Sequence, residues 1–284
     1  MSVEVWGMIG AGFAALVAGL VLVRPRFQAA SGVERVLVLG PVFEAVALAV
    51  FAAEHFTAAR ALMGIVPRWL PGPLFWTYFV GAALLAAAIS FIVWRHVRLS
   101  AALLALLFLT IVATIDLPNL PKNAHERLFW TLTMRETAFA GGAMVLAGSL
   151  WTRGGRAGSA LMLVGRVFVE VTMVFYAVQH FLFSRFAPGV PLAKMTPDWV
   201  PAPTLLAYLI GIVLLLAGVG LLIRHTIRIA AASAGIVLLL LTAFLYLPIC
   251  VMEIHSSLAV EGINYVADTL LFAATALLAG FGAD

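Results

Sequence analysis

The sequence predicts an all-α integral membrane protein of about nine transmembrane helices, one N-terminal helix followed by two parallel four-helix repeats. Three observations predict it. The 284 residues are 64% hydrophobic and only 11% charged, with a mean hydropathy of +1.10, whereas a soluble domain carries about 25% charged residues. So little polar surface cannot cover one water-soluble core, which excludes a soluble enzyme, a disordered chain and a nucleic-acid binder. Nine apolar stretches approach the roughly 20 residues needed to cross a hydrocarbon core about 30 Å thick. After the first of them, the chain reads twice.

The stretches are 4–23, 36–58, 74–94, 99–117, 129–151, 162–185, 203–223, 229–248 and 261–282. Stretch 4–23 has Glu4 as its only early charge and is followed by Arg24-Pro25-Arg26. That is a stop-transfer pattern, not a cleavable signal. The loops then alternate in charge. Arg24, Arg26, Arg35, Arg95, Arg98, Arg153, Arg156, Arg166, Arg224 and Arg228 gather on one side against Glu34 and Asp284, a net charge of +8. On the other side Arg60, Arg68, Lys122, Arg127, Arg185 and Lys194 are balanced by Glu4, Glu54, Glu126, Asp198, Glu253 and Glu261. Short basic loops stay in the cytoplasm, which predicts a multi-pass protein of the cell's inner (plasma) membrane, N-terminus outside and C-terminus cytoplasmic. The seven tryptophans fall at or beside stretch ends, as an interfacial belt requires. One cysteine, Cys250, leaves no intramolecular disulfide and no CxxC motif.

The repeat is carried by matched motifs. Gly40-Pro41-Val42-Phe43 leads to Glu54-His55-Phe56, and Gly165-Arg166-Val167-Phe168 leads to Gln179-His180-Phe181. Pro67-Arg68-Trp69-Leu70-Pro71-Gly72-Pro73 matches Pro197-Asp198-Trp199-Val200-Pro201-Ala202-Pro203, followed in step by Tyr78 and Gly81 against Tyr208 and Gly211. Arg95-His96 matches Arg224-His225, and Leu117-Pro118 with His125 matches Leu247-Pro248 with His255. The offset between the copies drifts only from 125 to 132 residues. Four spans return the chain to its starting side, so the copies are parallel. The expected units are residues 1–30 (the extra helix), 31–152 (first repeat) and 153–284 (second repeat).

These motifs together resemble the DoxX-like membrane proteins, which are four-helix units. The resemblance covers nearly all of residues 36–282, once per repeat, and leaves the first helix outside the pattern. It implies a membrane redox setting, because the family takes its name from a subunit associated with quinone-linked thiosulfate oxidation.

His55, His125, His180 and His255 all lie toward the outer face and recur between the repeats. Imidazole is the commonest transition-metal ligand and an axial haem ligand, so these four are candidate metal or cofactor ligands, weighed evenly against a structural role. Cys250 and Met252 beside His255 would suit copper, although buried sulfur more often simply packs. His96 and His225, set among arginines, read as headgroup anchors. Intramembrane acids cost at least about 2.5–3.5 kcal/mol each and so are paired, neutral or useful. Glu44, Glu136 and Asp268 are the catalytic candidates. Glu136 and Asp268 match across the repeats, while Glu44 shares a helix face with His55, roughly 16 Å away along the axis. Glu170 is out of register with Glu44. Asp116 and Arg135 occur only in the first repeat, where Tyr246 and Ala267 are the counterparts, so they are expected to pair with each other. Trp69 and Trp199 stand in stiff proline-rich turns, either rigid interfacial corners or lids over an outer cavity. The P-loop, the strand-borne GxGxxG, HExxH and the nucleophile elbow are missing.

The expected function is a redox-associated membrane protein that binds a quinone, haem or a metal in an outer pocket of histidines and carboxylates. If it is an enzyme, it is a quinone-linked oxidoreductase or a subunit of one, with the bilayer and a larger respiratory or redox complex as partners. Two readings compete with it. One is a transporter using mid-membrane carboxylates, disfavoured because no helix shows a paired Gly/Pro interruption. The other is a structural subunit docked through the first helix.

Overall fold

The computed structural model describes residues 1–151 and 155–283; Arg153 and Asp284, both counted in the charge pattern, lie outside the described residues. Long helices dominate: α1 (Val3–Ala29), α2 (Gly40–Thr57), α3 (Pro73–Val93), α4 (Val97–Ile111), α5 (Arg127–Ser149), α6 (Arg156–Leu182), α7 (Pro203–Leu222), α8 (Ile227–Leu241) and α9 (Ala259–Ala279). Eight helical stretches among the described residues are long and apolar enough to cross a membrane. Helix α5, with 23 residues, is not one of them. The architecture is therefore that of an all-helical, multi-pass membrane protein.

Local chemistry sets the helix ends. Ser2 caps α1 by accepting the Val5 N–H at 3.2 Å. Helices α3 and α7 start with Pro73 and Pro203, each preceded by a left-handed residue, Gly72 at φ 70° and Ala202 at φ 46°. Proline suits the first helical turn, where its missing N–H costs nothing.

Besides Pro25 in α1, a corresponding pair of prolines lies within longer helices, which corrects the expectation that no paired interruption exists. Helix α4 continues through a π-turn, Val112–Asp116, into Leu117–Asn119. Helix α8 continues through a matching π-turn, Thr242–Tyr246, into Leu247–Glu253. The cause is the Leu-Pro pair. Pro118 and Pro248 have no N–H to give and their rings push away the carbonyl four residues back. The preceding N–H slips one residue further, so that Leu117 donates to Val112 O and Leu247 to Thr242 O.

Helix α2 packs against α1, α3 and α9, while α5 packs against α4, α6 and α9. Helices α6 and α7, α7 and α8, and α8 and α9 complete a closed ring, with α5 and α9 touching across its middle. Apolar contacts gain little between helices in lipid, so close packing depends on small residues. A would-be Cβ on Gly141 of α5 falls 2.5 Å from Gly165 O of α6, and one on Gly148 falls 2.7 Å from Gly158 O. Rising numbers on α5 meet falling numbers on α6, so the two helices run antiparallel along a glycine seam.

One segment departs from the helical pattern. Residues 185–196 form a hairpin, with Ala187 N–H donating to Lys194 O at 2.8 Å and Thr196 N–H to Arg185 O at 3.0 Å. Its tip, residues 187–192, is wholly buried. Irregular backbone is tolerated at such depth only where the protein satisfies it, and here four helices do so. Gly189 N–H donates to His180 Nε2 at 3.0 Å. Tyr246 Oη donates to Ala187 O at 3.1 Å and Thr269 Oγ1 to Val190 O at 3.0 Å. Arg127 reaches Leu192 O at 2.6 Å.

Candidate functional site

The charged interior is built where α5, α9 and the π-turn of α4 meet. Arg135 on α5 donates from Nη1 to Asp268 Oδ2 on α9 at 2.6 Å, and from Nη2 to the neighbouring Glu136 Oε1 at 3.1 Å. The π-turn that ends in Asp116 packs against α5, beside Glu136. The array Asp116–Glu136–Arg135–Asp268 therefore sets one fixed positive charge among three carboxyl groups.

The expected Asp116–Arg135 pair is thus corrected. The counter-ion of Arg135 is Asp268, 133 residues away, and Asp116 joins the array through Glu136. The reasoning from joint loss in the second repeat found members of one cluster but missed their order, because the arginine fork can satisfy two carboxylates at once.

The array has capacity left over. Asp116 Oδ2, Arg135 Nε and Glu136 Oε2 are buried without a hydrogen-bond partner among the described residues. Buried polar atoms in folded proteins are nearly always partnered, so three orphans on adjoining side chains mark a place where a polar guest or water fits. Glu54 lies nearby on α2 and accepts from Asn264 Nδ2 of α9 at 2.8 Å. Glu44, further along α2, is 1% exposed, and neither of its oxygens has a partner among the described residues.

The four imidazoles are not brought together. Among the described residues no three His, Cys, Asp or Glu side chains gather as a metal site. His180 is completely buried and both ring nitrogens are engaged: Nδ1 is 2.6 Å from Tyr176 O, and Nε2 accepts from Gly189. His55 makes the equivalent Nδ1 contact with Phe51 O at 2.8 Å. Both belong to a repeated packing motif. Gly81 and Gly211 let α3 and α7 approach the Cβ atoms of His55 and His180, and Tyr78 and Tyr208 lie against Phe56 and Phe181 at ring distances of 6.2 and 6.0 Å. The recurrence of His-Phe and Tyr-x-x-Gly therefore has a packing cause. His125 and His255 are exposed in the loops before α5 and α9. Met252 is exposed while Cys250 is buried, so the two sulfurs do not form a set. Trp69 and Trp199 are 68% and 44% exposed and stand at the surface.

Sequence reasoning missed the buried hairpin and its partners Tyr246, Thr269 and Arg127. A signal was present. His55 and Pro67 are 12 residues apart, His180 and Pro197 are 17, and those five extra residues accompany the buried tip.

Comparison with known proteins adds one finding. Residues 44–128 match the model of a domain of unknown function, DUF8561. The match begins at Glu44, spans α2 to α4 with the π-turn, and stops short of Arg135. No curated protein and no solved structure matches the chain.

Proposed function

We propose that the chain is a DoxX-like, redox-associated protein of the inner membrane that binds a quinone-type headgroup and exchanges protons with it at the Asp116–Glu136–Arg135–Asp268 array. The observation that carries this reading is the array itself, which combines the Arg135 ion pairs with three orphaned polar atoms. A quinone carbonyl accepts a hydrogen bond and a quinol hydroxyl donates one, and a carboxyl group meets the first when protonated and the second when ionised. Arg135 fixes the charge of the array, while Glu136 and Asp116 hold the proton at their carboxyl oxygens. Leu117 beside Asp116 is exposed on the outside of the helix ring, which suits a ligand arriving from the bilayer. The residues do not fit a four-imidazole metal centre, so no step is assigned to a metal or a haem.

The same reading includes nine spans, an N-terminus outside, a cytoplasmic C-terminus, and two parallel repeats after α1. Helix α5 belongs among the spans because its mid-helix charges face the interior and are paired there. The matched π-turns, left-handed caps and histidine packing motifs support the repeat. So does the closure of the ring, in which α5 packs on α6 and α9 on α2, each the last helix of one repeat against the first of the other. Paired proline interruptions in corresponding positions point to a binding site, and Asp116 ends one of them.

The test is binding of a short-tailed benzoquinone to the protein in lipid nanodiscs, followed by tryptophan quenching. Saturable binding that weakens at least tenfold in Glu136→Gln supports the proposal. Absence of binding, or binding indifferent to both Glu136→Gln and Asp268→Asn, overturns it. The partnerless Glu44 favours a second reading, proton-coupled transport, for which flux into proteoliposomes would be lost in Glu44→Gln.

A further inference from the structure

The two π-turns end differently. In the first half the final residue is Asp116, half-buried and with one oxygen orphaned. In the second half it is Tyr246, fully buried, its hydroxyl on Ala187 O and its ring against Gly189. Thr137 and Thr269 correspond in the same way. Thr269 donates to Val190 O, whereas Thr137 turns back to Thr133 O of its own helix at 2.8 Å. In the second half, then, two side-chain donors hold two carbonyl oxygens that the chain itself presents on the hairpin tip. No such segment enters the first half among the described residues. The connection that replaces the hairpin there is the pair of short helical turns Ala59–Leu62 and Met63–Ile65, with Met63 and Ile65 exposed.

We infer that residues 187–192 are a built-in occupant of the second half, filling the room that a ligand headgroup takes in the first, and that the protein therefore has a single headgroup site, at Asp116, Glu136 and Thr137. The inference rests on the proposed function and on the repeat correspondence that belongs to it. The hairpin also says what kind of guest fits. Its two carbonyls are neutral acceptors held by Tyr246 and Thr269, so the counterpart site suits a neutral headgroup with two carbonyl oxygens. Gly189 shows how tightly the second half is filled. Its φ of 132° and its contact with Tyr246 leave no room for a side chain, since a Cβ would lie 2.7 Å from the ring. A five-residue insertion beside His180 accounts for the difference between the halves.

The test uses the full chain in nanodiscs and a short-tailed benzoquinone carrying a photoreactive azide. Native mass spectrometry counts bound molecules, and peptide mapping after illumination locates them. The expected result is one molecule per chain, with label confined to peptides within 112–137, affinity reduced at least tenfold in Asp116→Asn, and stoichiometry unchanged in Tyr246→Phe. Mapping of the unsubstituted protein keeps the test decisive even if Asp116→Asn fails to fold. Two molecules per chain, or label within 242–269, overturns the single-site inference while leaving quinone binding in place. Absence of binding, or unsaturable label spread over the outward faces of the helices, overturns both.

Discussion

Removing either partner of the Arg135–Asp268 pair tests whether this contact holds the two halves together. The pair is buried and 2.6 Å long, and it joins α5 to α9 across the middle of the ring. Breaking a buried ion pair from one side costs about 3–5 kcal/mol, because the remaining charge is left uncompensated. Asp268→Leu belongs at the lower end, about 3 kcal/mol, since Glu136 still faces Arg135 at 3.1 Å. Arg135→Met removes the only cation of the array and falls in the same range. The double variant replaces both charges by apolar groups of similar size, a change that is often nearly neutral. It is expected within about 1 kcal/mol of the unsubstituted protein. The coupling between the sites is therefore large, on the order of 5 kcal/mol. The assay is reversible unfolding by SDS in mixed micelles for the four proteins of the cycle. Additive losses, with the double variant down by about 6 kcal/mol and coupling under roughly 0.5 kcal/mol, would refute the claim that the two charges stabilise each other.

Other perturbations test the rest of the structure. Gly141→Ala places a methyl group 2.5 Å from Gly165 O, so α5 and α6 must part, at an expected loss of about 3 kcal/mol in the same SDS titration; an unchanged midpoint would remove the seam. Ala202→Gly relieves a left-handed alanine at φ 46° and is expected to stabilise by about 0.5–1 kcal/mol, read as a small rise in melting temperature, whereas Gly72→Ala in the other half lowers it. His180→Ala deprives the Gly189 N–H of its acceptor, a loss of about 1–3 kcal/mol, and loosens the hairpin. Trypsin should then cut after Arg185 or Lys194 faster than in the unsubstituted chain; equal rates would detach the imidazole from the hairpin. In a Cys250→Ala background, Arg68→Cys is expected to react with an impermeant maleimide on intact cells, and His96→Cys only after permeabilisation. The reverse pattern would invert the proposed orientation.

Much of the fold is legible in the chain because bilayer physics acts through composition and spacing. A run of apolar residues about 20 long has few alternatives in lipid, so the stretch ends fall close to the helix ends, as at 74–94 against Pro73–Val93. Helices α4 and α8 run on past stretches 99–117 and 229–248, to Asn119 and Glu253. A proline ends a helix only when the carbonyl it displaces has nowhere to go, and the π-turns give it a place. The candidate site was legible as a set of residues. Glu136, Asp268, Arg135 and Asp116 were all singled out for the expense of charge in a membrane. Their pairing was not legible, since it depends on which faces of α5 and α9 meet. The histidines misled for a related reason. Recurrence marks a shared constraint without naming it, and for His55 and His180 the constraint is a glycine step on the next helix and a tyrosine there against the neighbouring phenylalanine.

By itself, the sequence determined that this is a multi-helix membrane chain, because hydropathy and helix length are one-dimensional quantities that solvent reads directly. Only the tertiary structure decided that Arg135 answers to Asp268 and that residues 187–192 fold back into the protein. Both outcomes depend on contacts between segments more than 60 residues apart. Buried hydrogen-bonding groups choose their partners by proximity in space, and order along the chain does not fix that proximity.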